Sequence, residues 1–586
     1  MVKTIGFFIV VTGFVASAIS CKNHKPAQSS NQVTEYVFKQ TTVCNPIEIS
    51  YRFAVDGGPS RREAADPTVV LYKDEYYLFA SKSGGYWNSS DLIEWSFIKS
   101  SQLPFEDYAP TAVVIKDTLY FVASNNNAPI TIYKTTKPKS GYWEVANANF
   151  PIAMTDPMLF YDEERLFLYY GCSNVNPLYG VELDVNTLNP IGEPIALMNS
   201  KRQDYGWERW GDYNDQDLRP WIEGAWVNKY KGKYYLQYSG PGTRFKSYND
   251  GVYISESPLG PFKIAKHNPM AIKPEGFING AGHGNTFQDK YGNYWHTGTM
   301  ALTLKHKFER RIGMYPAFFD EDDVLYAYTG FGDFPYIVPR KKISKPEDLF
   351  PNWMLLSFKK SLTVSSELEE HPKHLASDEE IRTYWSAKTG NKGEWIQMDL
   401  GKTSMISAVQ INFAENNTQL HGGDKNIFHQ YLLEYSLDNK EWVTLIDKTK
   451  SKEDAPHDYT QLEKPTHARY LKMTNYFVPD GTFALSDFRV FGNSKDCNPI
   501  QKPELQISRK EDDRCIVNLK WNIIENAIGY KLRYGIHPKK LYHNYQVLEN
   551  NSLTIRTLNK FQKYYFTIDT FNENGVLEGT EIIEVN

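Results

Sequence analysis

Three acidic residues, Asp66, Asp156 and Glu223, open stretches of chain that resemble one another. Each is followed by an apolar, β-type run, such as Asp66-Pro-Thr-Val-Val-Leu-Tyr and Asp156-Pro-Met-Leu-Phe-Tyr. A carboxylate at the mouth of a strand, with apolar residues behind it, is placed to titrate away from its ordinary range. Two carboxyls of opposite protonation state, one donating to a leaving oxygen and one activating water, form the usual apparatus for hydrolysing a glycosidic bond. Glu223 sits between Trp221-Ile222 and Gly224-Ala225-Trp226, the most apolar setting of the three. It is expected to be the general acid. Asp66 is then the general base, and Asp156 tunes and orients the acid through like-charge repulsion.

The elements that must bring these residues together are repeats. Five related segments begin at Asp66, Ala109, Asp156, Glu223 and Gly282, spaced 43, 47, 67 and 59 residues apart. Each reads as a hairpin: a β run, a polar turn, then an aromatic strand. Units of this size built from hairpins are the blades of a propeller, and five units predict five blades. In a propeller the inner strand of every blade lines the axis, so residues opening those strands converge. The long third interval predicts a loop insertion that contains Tyr205-Gly-Trp-Glu-Arg-Trp-Gly-Asp-Tyr. Its Trp207 and Trp210 are candidate sugar-stacking platforms, and Trp226 is a further candidate substrate contact.

Residues 45–351 resemble glycoside hydrolase family 43, on Ala65-Asp66-Pro67, Thr155-Asp156-Pro157 and Ile222-Glu223-Gly224-Ala225-Trp226. The resemblance implies inverting hydrolysis, with the three acids in the roles given above. It implies arabinofuranosyl, xylosyl or galactosyl units as substrate, and no cofactor for the chemistry. Tyr108-Ala109-Pro110 is similar to a family motif whose aromatic residue stacks on the sugar. Gly280-Ala-Gly-His283-Gly is similar to the blade-five motif, whose histidine faces the axis and meets calcium or ordered water. Of Arg310 and Arg311, one is expected to hold the base ionised or to bind substrate hydroxyls; the sequence leaves open which. The alternative function is a propeller lectin that binds glycans without turnover.

After Pro351 the pattern changes to short alternating strands. Residues 357–493 resemble a discoidin or factor 5/8 C-type domain, near carbohydrate-binding module family 32. The matching stretches include His374-Leu-Ala-Ser-Asp378, Thr383-Tyr-Trp385-Ser and Trp395-Ile-Gln-Met-Asp399-Leu-Gly. That resemblance implies a structural calcium near Asp378 and Asp487, an oxygen-only site suited to a hard cation. Residues 503–586 resemble a fibronectin type III domain and read as a spacer. The expected fold class is therefore all-β: a five-bladed propeller, a discoidin-like jelly-roll sandwich and a small immunoglobulin-like sandwich.

At the N-terminus, Lys3 and the apolar stretch from Ile5 to Ile19 read as an export signal over residues 1–20. It ends in Ala18-Ile19-Ser20-Cys21, similar to a bacterial lipoprotein signal, so Cys21 is the expected lipid-bearing residue. Residues 21–44 would then form the lipidated tether, making the chain an exported, membrane-anchored lipoprotein. The remaining four cysteines have no metal-type spacing, and a pairing of Cys497 with Cys515 is left open. With 65 basic against 70 acidic residues the chain lacks the basic excess of a nucleic-acid binder. Its partner is expected to be a carbohydrate.

Overall fold

The computed structural model describes residues 39–105, 108–494 and 501–586. The export signal, Cys21 and Cys497 lie outside the described residues. Five antiparallel sheets follow one another from Thr68 to Ala327, one per repeat; four are four-stranded, and that of blade four gains a short fifth strand, Ala271–Ile272. Their first strands are Thr68–Tyr72, Thr111–Ile115, Met158–Asp162, Glu223–Tyr230 and Asn279–Gln288. In blades one, three and four, two residues join the first strands to the second. Lys73-Asp74, Glu163-Glu164 and Lys231-Gly232 all take positive φ there. Positive φ at both central residues matches the twist of a tight hairpin. Aromatic residues such as Phe79, Tyr86 and Trp143 fill the space between neighbouring blades.

The ring closes through polar side chains acting as substitute strands. Asn285 of blade five accepts the Val69 N–H and donates to the Val69 carbonyl of blade one, at 3.1 and 2.9 Å. On the other side, Trp226 and Asn228 of blade four both donate to the Thr286 carbonyl. Trp226 is thus committed to an inter-blade seam, which corrects its expected place at the substrate.

Every blade begins with one residue in the left-handed region: Asp66 (φ 52°), Ala109 (45°), Asp156 (53°), Gly224 (63°) and His283 (44°). A non-glycine residue held in that region costs free energy that the surrounding structure must over-determine. The register also corrects the sequence reading. Asp66 and Asp156 occupy this position, whereas Glu223 stands one residue before it, at the place Tyr108 takes in blade two.

The second domain, Met354–Leu355 to Ala484–Asn493, is an eight-stranded β-sandwich whose two long strands, Trp395–Phe413 and His457–Phe477, pass through its centre. Trp385, Met398, Leu471 and Phe488 pack its core. The third domain pairs a three-stranded with a five-stranded sheet over Trp521 and Tyr530.

Both domains pack firmly on the propeller. Arg489 of the second domain forms a buried bidentate pair with Glu379 and donates to the Asp333 carbonyl of the propeller. Arg62 of the propeller reaches back to Glu415 and Asp454. The third domain is not a spacer: Arg209 of the propeller insertion is clamped by Asp513, and Tyr326 stacks on Tyr542 with centroids 3.8 Å apart.

Candidate active site

The left-handed turns aim Asp66, Asp156 and His283 inward, and Glu223 comes beside them from the preceding position in blade four. The three acids are 3%, 5% and 8% exposed. His283 Nδ1 lies 3.3 Å from Asp66 and 3.7 Å from Asp156. Donor atoms of Asp156, Cys172 and Glu223 all lie within 4.8 Å of one another. Three distant stretches of chain therefore meet in one acidic cluster.

Their environments differ. Asp66 accepts the Ser81 hydroxyl at 2.5 Å, and Arg310 Nη1 lies 3.1 Å from both of its oxygens. Burial alone would raise its pKa, but the charges of Arg310 and His283 outweigh burial and hold it below the ordinary aspartate value. Asp66 is accordingly ionised at neutral pH. Burial pushes Asp156 the other way, up to about 7, and the negative charges of Glu223 and Asp66 add to it. Burial opposes protonation of His283, but Asp66, Asp156 and Glu223 together raise its pKa. Its imidazole meets carboxylates directly through Nδ1.

Glu223 accepts the Tyr248 hydroxyl at 2.5 Å on one oxygen and the Cys172 thiol at 3.0 Å on the other. Burial, then the Glu223 charge, pushes both donors up, so they stay protonated. Glu223 lines a cavity of about 400 Å³, with Trp210, Trp221, Phe245 and Phe308 as aromatic walls and Arg244 and Lys307 at its edge. A more open depression of about 670 Å³ continues past Arg244 and Lys307 to Arg382 of the second domain. Tyr108 packs against Phe308 beneath the Arg310 guanidinium.

The structure separates residues that the sequence grouped. Trp210 lines the cavity, but Trp207 is fully buried. Its ring packs on Tyr238 and its Nε1 donates to Asn559 of the third domain. Arg310 serves Asp66, whereas Arg311 points away and donates to His457 of the second domain at 2.7 Å. Trp207 and Arg311 are therefore structural. Sequence reasoning missed Asp250, which accepts the Ser239 hydroxyl and the His283 N–H and so fixes the histidine. It also missed Trp221, whose signal was its place two residues before Glu223.

In the second domain, Asp378 accepts the Glu380 N–H and the Thr383 hydroxyl, and Asp487 accepts the Glu379 N–H. Asp487 Oδ1 is buried without a hydrogen-bond partner. Burial and neighbouring carboxylates raise both acids. An orphaned carboxylate oxygen amid surplus negative charge fits a hard cation that draws its other ligands from carbonyls.

The profile described as glycosyl hydrolases family 43 matches residues 60–325. Residues 60–325 are a family 43 glycosyl hydrolase domain. The F5/8 type C profile matches residues 361–476, so the family 43 domain is followed by a domain of that class. Among curated proteins, the chain is similar to the β-D-galactofuranosidase xynD of Aspergillus niger, 22% identical over 34% of this chain and 62% of that one. It is also similar to a xylosidase/arabinosidase of Butyrivibrio fibrisolvens, 22% identical over 39% of this chain and 48% of that one. The chain thus spans about half to three-fifths of these relatives. Among solved structures, the Bacteroides ovatus xyloglucan PUL GH43B is 14% identical, with 93% and 98% of the two chains covered and a TM-score of 0.42.

Proposed function

We propose that the chain is an inverting, exo-acting glycosidase that removes arabinofuranosyl, xylosyl or galactofuranosyl units from polysaccharides or oligosaccharides. The observation that carries this reading is the asymmetry of the cluster. Arg310 holds Asp66 ionised as a base, while burial pushes the pKa of Asp156, close to Glu223, up to about 7. In the proposed reaction Asp66 takes a proton from water as the water attacks the anomeric carbon. Glu223, with the Asp156 carboxyl close by, is the acid that delivers a proton to the leaving oxygen. His283 and Arg310 keep the base in place and charged. The aromatic walls stack on sugar faces, and the open depression receives the leaving chain. The names of the two curated relatives support this range of sugars.

The test is hydrolysis of a panel of nitrophenyl arabinofuranosides, xylosides and galactofuranosides by the parent and Glu223→Gln. Loss of about 100-fold or more in kcat on an unactivated oligosaccharide is expected, the usual scale of general acid catalysis. A parent that binds glycan but hydrolyses nothing would make the chain a lectin.

We further propose export and lipid attachment at Cys21, supported by Lys3 and the apolar residues 5–19. Labelling of the parent, but not of Cys21→Ala, with a tagged fatty acid would support this; equal labelling of both would exclude it.

A further inference from the structure

Each blade carries one small side chain at the end of its second strand: Ser81, Ser124, Cys172, Ser239 and Thr299. In four of the five, the hydroxyl accepts the N–H of the left-handed residue that heads the next blade. Ser81 takes Ala109, Ser124 takes Asp156, Ser239 takes His283 and Thr299 takes Asp66, at 2.6–2.8 Å. Ser81 and Ser239 also donate to carboxylates, at 2.5 Å each. These hydroxyls lock the blade heads around the axis.

Blade three departs from the pattern. Its residue is the thiol Cys172, and the corresponding N–H is that of Gly224. Sulfur is a weak acceptor, and the Gly224 N–H acts on the nearby Asp156 carboxyl, favouring its ionised form. The thiol donates to Glu223. The exchange of oxygen for sulfur coincides with the blade junction at which Glu223 and Asp156 meet.

We propose that Cys172 is a positioning residue for the general acid, an inference that rests on the hydrolytic reading above. The thiol orients Glu223 with a donor weaker than a hydroxyl, which would favour the carboxylate strongly and disfavour proton delivery. The contact at 3.0 Å fixes one Glu223 oxygen at the blade junction where Asp156 lies. Serine at this position would supply the stronger donor, and alanine would remove the orienting contact.

The experiment compares parent, Cys172→Ser, Cys172→Ala and Glu223→Gln as full chains, on glycosides of the hydrolysed sugar with leaving groups of graded acidity. A dinitrophenyl leaving group departs without a proton, whereas an alkyl alcohol or sugar does not. Both cysteine variants are expected to keep kcat on the dinitrophenyl glycoside within about twofold and to lose about tenfold on the alkyl glycoside, part of what a general acid supplies. Glu223→Gln should show the same selectivity with a larger loss. If the parent hydrolyses none of the glycosides, the hydrolytic reading fails; if Glu223→Gln loses activity without regard to leaving group, its assignment as general acid fails. If it is selective but the cysteine variants match the parent, or fall equally on all substrates, the role of Cys172 is overturned.

Discussion

Replacing Arg310 by methionine removes the cation that keeps Asp66 charged while leaving the carboxyl as buried as before. Arg310 Nη1 lies 3.1 Å from both Asp66 oxygens. A hydrogen bond to a charged group is worth about 1.5–3 kcal/mol, and the Coulomb attraction sets a ceiling of about 4 kcal/mol at a protein-like dielectric. Divided by about 1.4 kcal/mol per pH unit, the smaller range is a shift of about one to two units. The sign follows from what remains. Burial favours the protonated carboxyl, while His283 still opposes it and Ser81 and Thr299 still donate to it. The base is therefore protonated at a higher pH than in the parent. The acidic limb of kcat/KM should move up by about one to two units, with activity recovering on its alkaline side. Arg310 also pairs with buried Glu63 at 2.9 Å, and an abandoned buried charge costs about 3–5 kcal/mol of stability. Arg310→Met combined with Glu63→Gln controls for that loss, and Arg310→Lys should keep the limb near its parental position. A folded Arg310→Met/Glu63→Gln variant whose acidic limb coincides with that of the parent would refute the assignment of Asp66 as a base held ionised by Arg310.

Two further outcomes follow from the domain contacts. Asp513→Ala frees Arg209 and with it the insertion that carries Trp210, so KM should rise about fivefold with little change in kcat, the scale of a partly exposed ion pair. An unchanged KM would show that the third domain does not support the pocket wall. Calcium should raise the melting temperature of the parent by about 2 °C or more and leave Asp487→Asn unmoved, because a ligand bound only to the native state stabilises it. Melting curves indifferent to calcium in both proteins would make Asp487 a protonated core carboxyl instead.

The architecture was legible because its signals are local and repeated. Alternation within each hairpin and recurrence of Asp-Pro need no knowledge of distant contacts, and they put Asp66 and Asp156 at blade heads, where the structure also has them. Glu223 was found, but its register was not. The left-handed position in blade four falls on Gly224, and a sequence aligned by its acids hides a one-residue offset that only backbone geometry reveals.

What could not be read depended on the far end of an interaction. Arg310 and Arg311 are identical in type and adjacent, and successive residues of a strand face opposite ways. One reaches Asp66 and the other His457, a choice fixed by the strand's register against the second domain. Trp207 and Trp210 share one motif, yet Asn559, some 350 residues later, takes the first into the protein interior and leaves the second at the cavity. Cys172 did not stand out, because the four cysteines after Cys21 show no metal-type spacing. It becomes informative only when set beside Ser81, Ser124, Ser239 and Thr299, whose equivalence lies at strand ends, where the sequence repeat is weakest. The residues that tune the acids are thus harder to see than the acids themselves. Each tuning residue is defined by the group it touches across a blade or domain boundary, and sequence patterns report neighbours along the chain.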